Sequence, residues 1–229
     1  MSRPIAGRLL VAMTVATAAA TSLRAAPEFE AVEEQSNIHF SVPLMAVSKV
    51  SGKFMDYEVW LQAGDKPDLS HATATAEIKV ASVDTGNDSW DAKLRNPEWF
   101  DAVKYPTIRF ESTRVHNTGK GWEAVGKLTM HGVTKEITLP FTFDGRFEGP
   151  HPDEHVGIHA TLKFDRRDYG MAWAGNAEAK AVGNIVTVEI TILAKRASSK
   201  AKAKTAASPP PSKRGTPART STARSPAKP

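Results

Sequence analysis

Cysteine does not occur anywhere in the 229 residues. Its absence removes thiol nucleophiles, thiolate zinc sites, disulfides and thiol redox exchange from consideration. Burial alone must hold the fold. A Gly-x-Ser-x-Gly nucleophile elbow and a Walker-type phosphate loop are missing too. Acidic residues are confined to the middle of the chain: all 25 lie between Glu28 and Glu189. The stretch from Lys195 to Pro229 carries 10 Lys and Arg and no acid, and three more Arg precede Pro27. The body between keeps 17 basic residues against 25 acidic, a net charge of −8. The formal +5 of the whole chain therefore averages an acidic body and a basic tail, and it is no argument for nucleic acid as a partner.

Both ends read as separate from the fold. Arg3 and Arg8 precede a largely apolar run from Leu9 to Ala20 that ends in Ala18-Ala19-Ala20. A basic start, a short apolar core and small residues form a secretory signal, with cleavage expected between 20 and 26. The run is too short to span a bilayer comfortably. Export predicts a periplasmic or secreted protein. The tail from 195 to 229, rich in Ala, Ser, Pro, Thr, Lys and Arg, includes Ser208-Pro209-Pro210-Pro211. It holds too little apolar surface to offset its ordering entropy, so disorder is expected. Its charge suits an anionic membrane surface or an anionic cell-wall polymer, or no partner at all.

Between them, from about residue 27 to 194, period-two alternation dominates. Ile38, Phe40 and Val42 share one face of a strand, and Phe54 follows Gly52 in the next. Ala72, Ala74, Ala76, Ile78 and Val80 align, as do Ile108, Phe110 and Ser112. The clearest pattern runs from Gly126 to Phe143. Leu128 and Met130 alternate with polar neighbours; His131-Gly132 interrupts; Val133, Ile137, Leu139, Phe141 and Phe143 resume. This spacing predicts a long antiparallel hairpin whose turn uses the positive φ that Gly132 tolerates. Ile158, Ala160, Leu162 and Phe164, then Val186, Val188, Ile190 and Ile192, give two further faces. Turn signals at Ala63-Gly64-Asp65, Asn117-Thr118-Gly119, Gly149-Pro150 and Gly183-Asn184 separate the runs. Many short strands with few helices argue for an all-β barrel or sandwich. The exception is Asp88 to Arg95, a capped helical segment stopped by Asn96-Pro97, with Trp99 and Phe100 beyond. It is placed as a lid at one end of a barrel.

The inward faces mix large residues (Phe40, Phe54, Phe110, Phe141, Phe143, Phe164) with small ones (Ala74, Ala76, Ala124, Gly126, Ala160). That mixture fits an apolar tunnel or a filled core with matched sizes. Chemistry-bearing clusters are weak. Asp165-Arg166-Arg167-Asp168 reads as a strand-end ion-pair network, with Asp165, Arg167 and Asp168 the candidates if the protein were an enzyme acting on a small hydrophobic substrate. His151, His155 and His159 have helical metal-site spacing, but Pro150, Pro152 and Gly157 oppose a helix, so no metal and no cofactor is expected. His131 is assigned to the hairpin turn.

Several motifs, in order and at matching spacing, resemble the YceI-like family of periplasmic lipocalin-like proteins over about 29 to 194. They are Val50-Ser51-Gly52-Lys53-Phe54, Ser82-Val83-Asp84-Thr85-Gly86, Asp91-x-x-Leu94-Arg95-x-x-x-Trp99-Phe100-Asp101 and Tyr105-Pro106-x-Ile108-x-Phe110. Gly126-x-Leu128-Thr129-x-His131-Gly132-Val133-Thr134-Lys135, Arg167-x-Tyr169-Gly170-Met171-x-Trp173 and Val182-Gly183-Asn184-x-Val186 complete the series. Leu44 and Ala46 stand where the family often has His and Gly. The resemblance implies an eight-stranded antiparallel lipocalin-like barrel that sequesters an isoprenoid or other long-chain lipid and has no catalytic step. For such a tunnel the inward faces put the lining at Phe40, Val42, Phe54, Ile78, Phe110, Ala124, Gly126, Leu128 and Met130, continuing through Leu139, Phe141, Phe143, Ala160, Leu162, Phe164 and Trp173. The gate falls on Trp90, Leu94, Trp99 and Phe100. Oligomeric state stays open, a homodimer included. An envelope stress or structural protein acting through its basic tail is the remaining alternative.

Overall fold

The computed structural model describes residues 28–45, 47–63, 69–148, 154–171 and 181–197. The proposed signal segment, the tail beyond Ala197 and Trp173 lie outside the described residues; Lys195 and Arg196, the first residues of the tail by sequence, belong to the last strand, paired with Glu30 and Phe29. Within them, eleven strands form one antiparallel sheet: β1 (Glu28–Ala31), β2 (Asn37–Leu44), β3 (Ser48–Phe54), β4 (Tyr57–Gln62), β5 (Thr73–Lys79), β6 (Val83–Asp84), β7 (Thr107–Asn117), β8 (Trp122–Met130), β9 (Val133–Glu148), β10 (Glu154–Asp165) and β11 (Ile185–Arg196). An α-helix, α1, spans Asp88–Arg95.

The sheet closes on itself. Pairing runs β1-β4-β5-β7-β8-β9-β10-β11 and returns to β1, where Phe29 faces Arg196 and Ala31 faces Ala194. Closure leaves no open edge in this ring of eight. The remaining three strands continue three staves of the same barrel. β2 resumes after β1 along β11, β3 precedes β4, and β6 follows β5. Chain order is thus a plain up-and-down meander. One end of the barrel carries Met45 and Val47, the 85–106 connection with α1, the 131–132 turn and Val182-Gly183-Asn184 before β11. The opposite end carries the first residues of β1 and the last of β11.

Local chemistry explains these elements. The alternation of apolar and polar residues fixes which face is inside, because a slip of one residue would invert it. Ala124, Leu128 and Met130 are buried on one side of β8, while Lys127 is exposed. In the β8–β9 turn both His131 and Gly132 adopt positive φ, 50° and 76°, the pattern of a type I′ hairpin turn. The His131 ring holds this uncommon conformation from two sides. Its Nδ1 lies 3.0 Å from the Tyr169 carbonyl, which only accepts, so Nδ1 donates. The Tyr105 ring packs edge-on against it at 4.8 Å. The most recognisable sequence motif therefore knits three loops together at one barrel end.

Two register changes depart from simple alternation. Between β3 and β4 the residues Met55-Asp56 break the strand, so Phe54 and then Tyr57, Val59 and Leu61 are all buried. In β7 the pairing shifts between Ser112 and Arg114, leaving Thr113 as an extra residue and turning Val115 inward.

Candidate ligand-binding cavity

An apolar cavity of about 220 Å³ occupies the barrel. It touches Leu94, Trp99, Arg166 and Met171 at the α1 end and Ala63, Leu69, Val115 and Ile192 toward the other. One cavity therefore runs the length of the barrel. On β10 it extends from Val156 to Phe164, ~26 Å of strand, or roughly 20 Å along the axis once strand tilt is allowed for. The volume is below the ~300–1,000 Å³ of compact small-molecule pockets. Spread over that length, it has room for one narrow chain and not for a globular ligand.

Most residues expected at the site do line this space. Phe40, Val42, Phe54, Ile78, Phe110, Ala124, Leu128 and Met130 border it on strands up to β8. Leu139, Phe141, Phe143, Ala160, Leu162 and Phe164 border it on β9 and β10. Gly126 does not. A side chain there would meet the Phe110 ring at 2.8 Å and the Glu111 carbonyl at 2.5 Å, so Phe110 already covers that point of the wall. Gly52 is covered in the same way by the Phe40 ring, 2.6 Å from where a Cβ would stand. In both places glycine makes room for a phenylalanine rather than for a ligand.

Helix α1 and the turn after it form the cap. Asn87 caps the helix, its side chain accepting from the Trp90 backbone N–H at 3.1 Å. Asn96-Pro97 ends it. Leu94, Trp99 and Phe100 reach the cavity. Trp90 does not: it is half-buried on the helix flank, with the Lys93 ammonium 5.2 Å from its ring centre. The inward face of α1 is instead Asp91 and Leu94, one turn-row away from the expected Trp90 and Leu94 pair. Asp91 is 7% exposed and accepts from the Thr85 hydroxyl at 2.6 Å and the Thr85 N–H at 2.8 Å. The Thr85 hydroxyl bond, ahead of the backbone bond and the Arg95 charge, holds its carboxyl below the usual value. Arg95 donates to the carbonyls of Ala81 at 3.0 Å and Val83 at 2.8 Å. The cap is thus anchored by polar bonds to the β6 side. Across the cavity its contacts are aromatic: Phe100 meets Phe54 edge-on at 5.9 Å, and Phe54 meets Phe40 at 5.6 Å.

The charge cluster after β10 divides in two. Asp165 accepts from the Arg167 side chain at 2.9, 3.1 and 2.5 Å, which holds its pKa down at about 2. Asp168 pairs with Lys135 at 3.1 Å. These are outward ion pairs of strand-end type, and none of the three lines the cavity. Arg166 belongs to the same charged run in sequence, yet it turns inward. It is 4% exposed, lines the cavity, and stacks over Trp99 at 5.4 Å. Its Nε donates to Gly183 at 3.1 Å, Nη1 to Met171 and Nη2 to Val182 at 3.5 Å, all backbone carbonyls. Burial pulls this guanidinium's pKa below its ordinary value. The sequence signal for it is parity: in Phe164-Asp165-Arg166 the even positions face in.

The histidine series is described only in part. His159 pairs with Asp144 at 3.0 Å and Thr191 at 3.2 Å, and His151 lies outside the described residues. Among the described residues no three His, Cys, Asp or Glu gather as a metal-binding group.

The YceI-like domain profile matches residues 29–194. A UPF0312 protein of Serratia proteamaculans is 29% identical over 180 residues, spanning 79% of this chain and 93% of that one. A UPF0312 protein of Pseudomonas putida is 32% identical over 142 residues, 60% of this chain and 72% of its own. Among solved structures, Burkholderia cenocepacia BcnA superposes with TM-score 0.64 at 20% identity over 71% of this chain and 98% of that one. The Campylobacter jejuni YCEI protein gives 0.59 at 25% identity, covering 66% and 88%. A polyisoprenoid binding domain from Saccharophagus degradans gives 0.53 at 14% identity, covering 76% and 99%.

Proposed function

This chain belongs to the YceI-like domain family, and from that premise we propose that it is a periplasmic binding protein that sequesters a polyisoprenoid or similar long-chain amphiphilic lipid in its barrel, with no chemical step. The observation that carries the reading is the apolar cavity running from the cap to the opposite end, about 220 Å³ in a narrow form. A long hydrocarbon chain gains ~0.8 kcal/mol per buried methylene, so affinity needs no catalytic or metal group. The solved polyisoprenoid binding domain of the same fold supports the ligand class. The basic start and apolar run of residues 3–20 support export. Asp165, Arg167 and Asp168, the candidates for chemistry, are engaged outside the cavity, which disfavours the enzyme reading.

Exchange of the ligand through the capped end has its own support. Met45, Val47 and Val103, in the loops of that end, and Ile185, the first residue of β11, are large apolar residues left exposed there. A single exposed apolar residue is ordinary, but four around one cavity mouth favour contact with an apolar donor or acceptor.

Ala160 tests the cavity directly, because it is buried, small and on the wall. Ala160→Phe fills the tunnel midway. Uptake of a fluorescent prenyl or long alkyl probe is expected to fall by at least ~10-fold, while the far-ultraviolet spectrum keeps its β character. Unchanged uptake by a folded variant contradicts a ligand in the barrel.

A further inference from the structure

We propose that the barrel takes in hydrocarbon alone and selects by its length: the head group of the lipid stays outside, and binding depends on the chain and not on the head. This rests on the lipid reading above. Four polar side chains border the cavity, those of Gln62, Thr73, Thr75 and Arg166, yet among the described residues no polar atom opens into it. Toward the far end the Thr73 hydroxyl donates to the Gln62 side-chain oxygen at 3.4 Å. At the capped end Arg166 turns its nitrogens away. They donate to the backbone carbonyls of Gly183, Met171 and Val182, and the neighbouring Asp165 carboxylate acts on the guanidinium as a favourable charge. Arg166 therefore borders the cavity through carbon, as a long charged side chain does when it lies along apolar surface.

Such a wall offers a head group nothing to bond. An alcohol drawn inside forfeits its hydrogen bonds to water without replacement, and a carboxylate or phosphate loses far more. The head group is thus held in water at a barrel end, while each methylene that enters adds affinity. Two dimensions then set which chains fit. The space is narrow, about 220 Å³ in all, so one chain passes and a second does not. Its length along the axis is roughly 20 Å, from Val156 to Phe164 on β10. Carbon–carbon bonds of about 1.5 Å advance an extended chain by ~1.3 Å per methylene, so roughly 16 main-chain carbons span it. Carbons beyond that number stand outside the wall and add little.

The test is competition on the full chain against one fluorescent alkyl probe, in two series. In the first, the length is fixed and the head varies. Hexadecanol, the fatty acid of the same length and its methyl ester should bind within ~3-fold of one another. In the second, the head is fixed and the length varies. Across straight-chain alcohols from octyl to eicosyl, affinity should rise by up to ~4-fold per methylene and level off at roughly 16 carbons. Both series use the unaltered protein, so no variant has to fold. A difference of ~10-fold or more between heads of equal length overturns the inference and leaves the lipid reading intact. Affinity that keeps rising through eicosyl, or that does not depend on length, does the same. Failure of every compound to compete overturns the lipid reading and this inference with it.

Discussion

Glycine and histidine at the β8–β9 turn show how closely single residues are constrained here. Gly132 combines a φ of 76° with a Cβ position 2.6 Å from the Tyr105 ring, so both backbone and space reject a side chain. Gly132→Ala is expected to destabilise the fold by about 1–3 kcal/mol, read as a lower denaturation midpoint in urea at unchanged slope. A midpoint equal to wild type would mean that the turn relaxes freely and that the His131–Tyr169 tie does not matter. This turn is legible in the sequence because a glycine between two alternating runs fits a tight hairpin and little else. Gly126 is not legible in the same way. A small residue on an inward face signals either an open cavity or a covered one, and only the Phe110 ring position separates the two. Arg166 is hidden for a different reason. Its neighbours Asp165, Arg167 and Asp168 complete a charge pattern by themselves, so only its burial sets the fourth member apart.

Among the elements, α1 is where polar chemistry anchors the cap over the cavity. The helix is legible from Asn87 to Asn96-Pro97, since caps and breakers are local signals. Its rotation is not: Trp90 and Leu94 share a helix face by spacing, yet Asp91 with its Thr85 bonds sets the docked face. Asp91→Asn keeps the size but loses the charge. It is expected to cost about 1–2 kcal/mol near pH 7. The pH dependence has a definite sign. The folded state lowers the Asp91 pKa, so its contribution is complete above the ordinary value of 3.8 and drains away as pH falls through the lowered value. The stability gap between wild type and Asp91→Asn should therefore hold from pH 7 to about 5 and narrow below 3.8, as measured by denaturant unfolding at each pH. A gap that widens in acid would reverse the assignment. The strands match their sequence pattern where alternation is unbroken, as along β8 and β11. The breaks at Met55-Asp56 and Thr113 hide Val59, Leu61 and Val115 from a sequence-based lining, because an extra residue flips parity without any distinctive sequence mark.

For the molecule as a whole, closure of the barrel and the cavity within it follow from one fact: the ring of eight staves leaves a centre that its side chains only partly fill. Phenylalanines stacked over Gly52 and Gly126 thicken parts of the wall, while Ala124 and Ala160 thin others, and the narrow space between them runs from cap to far end. Among the described residues nothing bordering that space is charged except Arg166, beneath Trp99. Alternating faces with short turns make the all-β class legible in the sequence but leave barrel and sandwich open; the eight-stranded barrel comes from the motifs shared with the YceI-like family, and the emptiness of the barrel depends on side-chain positions that alternation does not encode. The most direct measurement is native mass spectrometry of the full chain purified without detergent or organic solvent. The account predicts a protein peak accompanied by a discrete adduct with the mass of a long-chain amphiphile, lost on solvent extraction and regained from a panel of prenyl and alkyl lipids. A bare protein mass that takes up no member of the panel would contradict it.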